Sequence, residues 1–159
     1  MAYSIAPPLS DRANCYTKDM NASEPSIFTK IIRGEIPCHK IYEDAKTVAF
    51  LDIHPLTEGH TLVISKKQIE FVWDLPDEDY VAVMATAKKV AQRLLEVLPT
   101  KYVSERIIGV DVPHAHVQLI PFDNTSQLAA KQDMTTDANH TALAALAKKL
   151  RITDNKGGS

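Results

Sequence analysis

The stretch from Asp77 to Leu98 constrains the fold of this 159-residue chain more than any other feature of its sequence. Its apolar residues recur at the 3.6-residue period of an amphipathic helix, and Pro76 and Pro99 suit the start and the end of that helix. A long helix with one apolar side must bury that side against a second layer of structure. The rest of the chain is therefore expected to supply a layer on which this helix packs.

Five short segments with the pattern of β-strands can form that layer. They are His39 to Glu43, Thr47 to Asp52, His60 to Ser65, Ser104 to Ile108 and His114 to Ile120. The turn Asp44-Ala45-Lys46 predicts a hairpin between the first two. Because the strands do not alternate with helices, the pattern indicates an α+β fold with a five-stranded antiparallel sheet. The edges of a single sheet need covering, so we expect a dimer to complete it.

A short helix is predicted before the strands and another helix after them. Ser26 can cap the first helix and Gly34 can end it, and the second is expected from Asp137 to Arg151. The apolar residues expected on one side of the first helix are Ile27, Ile31 and Ile32.

The termini and the composition set further limits. Residues 1–24 are predicted to form a flexible arm, residues 25–152 a single domain and residues 153–159 a frayed tail. The formal charge of −2 and the lack of a basic cluster argue against nucleic acids or membrane surfaces as partners. Cys15 and Cys38 are the only cysteines, and the sequence shows neither an apolar span of ~20 residues nor a signal peptide, so we expect a cytoplasmic protein.

The segment Val112-Pro113-His114-Ala115-His116-Val117-Gln118 carries the most informative chemistry. Successive side chains of a strand point to opposite faces, so His114, His116 and Gln118 should share one face at steps of about 6.5 Å. The residues between them should face the core. Neutral imidazole is a nucleophile, and an amide donor beside it can bind phosphate oxygens, so the row favours attack on phosphorus.

Two other interpretations of this row stay open. A His-x-His pattern on a strand also occurs as a partly exposed polar face, and it also occurs in metal sites. The third member of the row, Gln118, is a poor ligand for zinc or a late transition metal, which weighs against a metal site. Elemental analysis that finds no stoichiometric metal would eliminate the metal-binding interpretation.

Several segments together resemble the histidine-triad (HIT) nucleotide-binding family. They read SIFTKIIRGEIP from residue 26, IYED from 41, AFLDIHP from 49, EGHTLVISKK from 58 and GVDVPHAH from 109. They stand in the order that the family shows, over about residues 26–122. The resemblance implies a homodimer with joined sheet edges and a purine nucleotide or nucleotide conjugate as its ligand. No carboxylate cluster of the magnesium-binding kind accompanies the row, so we expect no metal and no other cofactor.

The resemblance also implies a role for each matched residue. His116 takes the nucleotidyl group, His114 supports it, and His60 helps to orient the row. Asp52 binds the ribose, since a carboxylate can accept hydrogen bonds from two hydroxyls. The implied catalytic residues are His116, His114, Gln118 and His60; the implied nucleotide-binding residues are Ile27, Phe28, Ile31, Phe50, Asp52, Ile53, Gly109 and Asp111.

The sequence departs from the family pattern in three places. Gln118 replaces the usual third histidine, as in the transferase and phosphorylase branch of the superfamily, which leaves water, phosphate or another group as the acceptor of the second step. Ser26, Thr29 and Gln68 stand where many bacterial relatives carry zinc ligands, so we expect no structural zinc. The loop before the signature is shorter than in the family and lacks an Asn-x-Gly segment, and with it a contact to phosphate or ribose.

The sequence thus predicts a HIT-family hydrolase or transferase. The expected reaction takes place at the α-phosphate of a nucleoside phosphoramidate or a dinucleoside polyphosphate, through a covalent nucleotidyl-histidine intermediate. The alternative is a nucleotide-binding sensor or interaction protein without turnover, which Gln118 and the shortened loop favour. Calorimetry that detects nucleotide binding without turnover would select this alternative.

Overall fold

The computed structural model describes residues 24–153. The arm predicted at residues 1–24 and the tail predicted at residues 153–159 lie outside the described residues, apart from one residue of each. In the described part of the chain, no helix is both long enough and apolar enough to span a lipid bilayer.

The predicted helices and strands occur in the predicted order, and a short helix within residues 123–136 and a 3₁₀ turn are present in addition. The helices of the described residues are α1 (Ile27–Ile32), α2 (Asp77–Val97), α3 (Ser126–Ala129) and α4 (His140–Leu150), with a 3₁₀ turn at Val72–Asp74. The strands are β1 (Lys40–Glu43), β2 (Thr47–Leu51), β3 (Thr61–Ser65), β4 (Tyr102–Arg106) and β5 (His116–Phe122).

Local sequence signals explain where these helices begin and end. The Ser26 side chain caps α1 by accepting a hydrogen bond from the Thr29 N–H, and Gly34 follows the helix with a φ of +77°, which glycine adopts without strain. Three acidic residues lie in the first turn of α2, where the positive end of the helix dipole favours them. The Asn139 side chain caps α4 through the Ala142 N–H.

The five strands form one sheet in the order β1-β2-β3-β5-β4, and every neighbouring pair is antiparallel. This arrangement confirms the predicted α+β fold. The chain leaves β3, passes through α2, forms the edge strand β4 and returns as β5 between β3 and β4. As a result β5 lies inside the sheet, next to the fully buried β3.

The two faces of the sheet bury different clusters. Val63, Val117 and Leu119 point to one face, where α2 and α4 pack, as predicted for the core side of β5. The opposite face carries a smaller cluster beneath α1, which consists of Phe28, Val48, Phe50, Leu62 and Ile64. His116 and Gln118 lie on this second face because they pair with Ile64 and Leu62.

Some boundaries differ from the prediction. β5 begins at His116 rather than His114, because the Ala115 N–H bonds to the oxygen of Ile69 in a loop instead of joining the ladder. β4 ends at Arg106 instead of Ile108.

The buried side of the first helix also differs from the prediction. Phe28 is the buried residue of α1, with Ile31 and Ile32 packed beside it, whereas Ile27 is 50% exposed. The expected grouping of Ile27 with Ile31 and Ile32 was therefore wrong, since the 3.6-residue period places Phe28 on their side.

Candidate active site

The predicted row of polar side chains lies on the face of the sheet that α1 covers. His116 and Gln118 point to the same side of β5. The Phe28 ring of α1 makes edge contacts with both histidine rings, 5.3 Å from His116 and 5.7 Å from His114 between centroids. The structure therefore brings all three members of the row to one face, although His114 precedes the strand.

The ring of His116 is held in one tautomer. Its Nδ1 lies 2.8 Å from the backbone oxygen of His114. Because a carbonyl oxygen can only accept a hydrogen bond, Nδ1 carries the proton and Nε2 keeps its lone pair. A neutral imidazole held in this way presents one nucleophilic nitrogen.

Both ring nitrogens of His114 are occupied. Nε2 donates to the backbone oxygen of Ser65 at 2.7 Å, and Nδ1 accepts from the Ser26 hydroxyl at 2.8 Å. Burial lowers the pKa of His114, and the nearby His116 lowers it further. Since neither nitrogen has a free lone pair, His114 cannot bind a metal ion in this arrangement, which counts against the metal-binding alternative.

The three residues at the zinc-ligand positions form hydrogen bonds around His114. Gln68 Oε1 accepts from the Ser26 N–H at 2.9 Å and from the Thr29 hydroxyl, which lies 3.5 Å from His114 Nδ1. Zinc favours thiolate and imidazole ligands, so two hydroxyls and an amide do not fit it. Residues 24–153 also hold no group of three or more His, Cys, Asp or Glu side chains suited to a metal ion.

His60 connects Gln118 to the loop after β2. Its Nδ1 accepts from the Leu56 N–H at 3.1 Å, so Nε2 carries the proton and donates to Gln118 Oε1 at 3.2 Å. Burial lowers the pKa of His60, although the carboxylate of Asp52 and the bond to Gln118 oppose this shift. With its oxygen engaged, Gln118 has its amide N–H groups to offer to a ligand.

Asp52 lies directly after β2 with both carboxylate oxygens engaged. Oδ1 accepts from the His54 N–H at 2.8 Å, and Oδ2 accepts from the side-chain amide of Gln132 at 3.0 Å. The same amide nitrogen of Gln132 donates to the His54 oxygen at 2.7 Å. No sequence signal points to Gln132, because residues 123–136 are polar and follow no period.

The apolar residues matched to the nucleoside pocket differ in their burial. Phe28 and Phe50 are buried and touch each other at 5.8 Å between ring centroids, with Ile31 packed on the same cluster. Ile27 and Ile53 are 50% and 44% exposed. Phe28 therefore covers His116 and rests on Phe50, whereas these two isoleucines are largely exposed.

A cleft of about 440 Å³ lies between the loop after β2 and α4. Asp52, Ile53 and His60 line one side of it, and residues of α4 line the other. Its lining does not include His116 or the two phenylalanines. The opening beside Asp52 and the nucleophilic ring are thus separate in this structure.

The loop between β4 and β5 contains Gly109 and Asp111. Gly109 has a φ of +72°, a backbone conformation that residues with a Cβ atom rarely adopt. Asp111 is exposed two residues later. This loop therefore contains a turn that requires glycine. The resemblance implies that the loop faces a phosphate.

Arg106 places a positive charge beside the row. It pairs with Gln118 across β4 and β5, so the two side chains share a face, and its guanidinium donates to the Leu128 oxygen. The Arg106 charge contributes to the lowered pKa of His60, after the larger effect of burial. The sequence alone does not single out Arg106, because the register of β4 against β5 is needed to place it.

Comparisons against known proteins identify the family and support the fold. The model of the HIT domain family matches residues 33–125, and the chain belongs to this family. An uncharacterized HIT-like protein of Methanocaldococcus jannaschii is 39% identical over 99 residues, which cover 60% of this chain and 77% of that protein. An adenosine 5'-monophosphoramidase of Schizosaccharomyces pombe is 38% identical over 102 residues, which cover 62% and 74% of the two chains.

A solved structure extends the similarity to three dimensions. A Zn-bound histidine triad family protein from Mycobacterium smegmatis superposes with a TM-score of 0.67 and 28% sequence identity, covering 79% of this chain and 89% of that chain. The likeness therefore includes the sheet and its helices as well as the signature segment.

Proposed function

We propose that this protein transfers a nucleotidyl group through a covalent adduct on His116 and hydrolyses a nucleoside phosphoramidate or a dinucleoside polyphosphate. The observation that carries the proposal is the hydrogen bond from His116 Nδ1 to the His114 oxygen, because it leaves the Nε2 lone pair for attack on phosphorus. The similarity to a protein named as an adenosine 5'-monophosphoramidase makes an adenosine phosphoramidate the first substrate to test.

The reaction has two displacement steps at phosphorus. In the first, His116 Nε2 forms a bond to the α-phosphorus, and the bond from phosphorus to the leaving amine or phosphate breaks with its electron pair going to that group. In the second, water attacks phosphorus and the bond to Nε2 breaks, which releases a nucleoside monophosphate. The amide N–H groups of Gln118 and the charge of Arg106, which share a face of the sheet, would stabilise the phosphate oxygens.

Gln118 restricts the leaving group. An amide has no useful acidic pKa, so Gln118 cannot protonate a departing amine, and that proton must come from water or the substrate. Good leaving groups, such as a nucleotide, need this proton least. Gln118→His should therefore raise the hydrolysis of alkylamine phosphoramidates more than that of dinucleoside polyphosphates.

The remaining matched residues are proposed to bind the nucleoside and the phosphate. Asp52 would accept hydrogen bonds from the ribose hydroxyls, and the loop at Gly109 and Asp111 would approach the phosphate. Ile27, Phe28, Ile31, Phe50 and Ile53 would surround a purine base.

The test combines turnover with intact mass spectrometry. The wild type should hydrolyse adenosine phosphoramidate and gain the mass of one adenylyl group, and His116→Ala should lose both signals. His114→Ala should keep a weak adduct, since the nucleophile is intact. An adduct that persists in His116→Ala would refute the assignment of the nucleophile, and an unchanged leaving-group preference in Gln118→His would refute the role of Gln118.

A second candidate function is nucleotide binding without turnover. His116 is only 5% exposed and lies beneath Phe28, so a substrate must displace cover to reach it. Calorimetric binding of adenosine monophosphate by a protein that neither turns over a substrate nor forms an adduct would favour this candidate.

We also propose a homodimer in the cytoplasm. β4 is an edge strand of the sheet, and α2 exposes Val81 (63%) and Leu95 (45%). A second copy joined at β4 and α2 would cover both features. The unpaired thiol of Cys38 fits a reducing compartment.

A further inference from the structure

The segment that follows β5 returns to the loop after β2. It passes through α3, and Gln132 then donates from one amide nitrogen to both Asp52 Oδ2 (3.0 Å) and the His54 oxygen (2.7 Å). One side chain therefore uses both of its N–H groups to fix a carboxylate against the backbone beside it. Asp52 is the residue that the proposed function assigns to the ribose, so this contact bears on nucleotide binding.

The Asp52 carboxylate can accept more hydrogen bonds than it accepts in this structure. A carboxylate has about two acceptor positions on each oxygen. The His54 N–H fills one position on Oδ1, and Gln132 fills one on Oδ2. His60 Nδ1 lies 3.7 Å from Oδ2 but has no proton to give, since it accepts from the Leu56 N–H. One acceptor position therefore remains on each oxygen.

Those two positions equal in number the two adjacent hydroxyls of a ribose. We propose that Gln132 is a positioning residue, which holds the Asp52 carboxylate in the orientation that accepts a vicinal diol and so makes the site selective for ribonucleotides. This inference rests on the proposed nucleotide-binding function. It assigns a binding role to the segment after β5, which the signature motifs do not include.

The amide of Gln132 is suited to this task in a way that similar side chains are not. Glutamate has the same length but no donor, and it would place a second carboxylate against Asp52 and the His54 oxygen. Gln132→Glu should therefore weaken ribonucleotide binding more than Gln132→Ala does. The neighbouring Lys131 is exposed and provides a matched control in Lys131→Ala.

The experiment measures calorimetric affinity for adenosine monophosphate and for its 2',3'-dideoxy analogue. For the ribonucleotide, Gln132→Ala should weaken affinity about three- to tenfold, the effect of one hydrogen bond. For the dideoxy analogue the change should stay within twofold, and Lys131→Ala should behave as the wild type with both ligands. In the Asp52→Asn background, Gln132→Ala should cause little further loss. On adenosine phosphoramidate, Gln132→Ala should raise KM and leave kcat unchanged.

Three results would overturn the inference. Tighter ribonucleotide binding by Gln132→Ala would mean that Gln132 occupies the place of the ribose. Equal losses for both ligands would mean a general effect on folding, and no loss would mean that Gln132 only anchors its loop.

Turnover separates this inference from the proposed function. A protein that shows the expected affinities but no turnover would refute the hydrolase proposal alone. A wild type that turns over substrate while Gln132→Ala changes nothing would refute the role of Gln132 alone. A wild type that neither binds nor turns over a nucleotide would refute both.

Discussion

At the scale of single residues, Ser26 makes two contacts that usually need two residues. Its hydroxyl oxygen accepts from the Thr29 N–H at the start of α1, and its O–H donates to Nδ1 of the buried His114. The His114 oxygen in turn fixes the tautomer of His116. Ser26 thus joins the helix that covers the site to the segment that leads into the strand of His116.

Ser26→Ala should lower the free energy of unfolding by about 2 kcal/mol. The lost helix cap contributes roughly 1 kcal/mol, and an unsatisfied buried nitrogen on His114 adds about 1 kcal/mol or more. Urea unfolding of the wild type, Ser26→Ala and Ser26→Thr measures the effect. Ser26→Thr keeps the hydroxyl and should recover most of the loss; equal stability of the alanine variant and the wild type would contradict the argument.

Sequence reasoning succeeds for residues whose neighbours are set by local geometry. The alternation of a strand is enough to place His116 and Gln118 on one face, and the cap at Ser26 follows from its position before an apolar helix. Gln132 contacts Asp52, which lies 80 residues earlier in the sequence, and Arg106 pairs with Gln118, which lies 12 residues later. No local sequence pattern encodes such contacts. These two residues therefore require the fold.

At the scale of elements, the turn before β3 depends on a glycine in a crowded place. Gly59 has a φ of +86° and is buried directly before His60. A Cβ atom at Gly59 would lie 2.5 Å from Leu98 Cδ1 and 3.2 Å from Leu94 Cδ2. A side chain at this position therefore fits only if Leu98 moves.

Gly59→Ala should destabilise the fold by about 2–4 kcal/mol. Roughly 1–2 kcal/mol comes from the left-handed backbone, and about 1–3 kcal/mol from overpacking against α2. Gly34→Ala is the matched control, since Gly34 has a similar φ of +77° but no atom within 4 Å of the added Cβ. Thermal and urea unfolding should show the smaller, backbone cost alone for Gly34→Ala. Equal losses in the two variants would mean that Leu98 moves aside without cost.

Element order and strand count were predictable because periodicity and turn residues specify them locally. The ends of elements were less predictable. β5 starts late because Ala115 finds its partner in a loop that contains Ile69, and α3 forms within a segment whose composition indicates only a loop. For β5 a contact that is distant in sequence decides the boundary, whereas α3 begins at a local turn in which Asn124 Oδ1 accepts from the Ser126 N–H at 3.0 Å.

At the scale of the whole molecule, two buried imidazoles make stability depend on pH. Burial lowers the pKa of His60 and His114 from the ordinary value of 6.5, so each is protonated at a lower pH in the folded chain than in the unfolded chain. Below pH 6.5 the unfolded chain binds protons that the folded chain does not. The free energy of unfolding should therefore fall as pH drops below 6.5 and lose this dependence above it.

Urea unfolding between pH 5 and pH 8 measures this linkage. The slope below pH 6.5 should approach about 1.4 kcal/mol per pH unit for each excess proton bound by the unfolded state. Imidazole resonances followed by NMR provide an independent check, because those of His60 and His114 should titrate below pH 6.5. A midpoint at or above 6.5 for either residue would contradict the direction of its shift.

The proposed homodimer rests on the two edges of the sheet. The edge strand β1 is partly covered, since the N–H of Ile152 after α4 donates to the Ile41 oxygen at 2.9 Å. The other edge strand, β4, pairs only with β5 among the described residues, and its Tyr102 is 55% exposed. An open edge beside exposed apolar side chains of α2 is the surface on which a second copy can add its own β4.

Charge placed on that surface should separate the two copies. Val81 and Leu95 lie on a similar side of α2 by the 3.6-residue period, away from the buried Val83 and Leu94. Light scattering at micromolar concentration should give a dimer for the wild type and a monomer for the double variant Val81→Glu and Leu95→Glu. Trp73→Glu is the control, because Trp73 is 70% exposed but lies on neither α2 nor β4, and it should stay dimeric. A monomeric wild type would refute the homodimer, whereas a double variant that stays dimeric would move the interface away from α2.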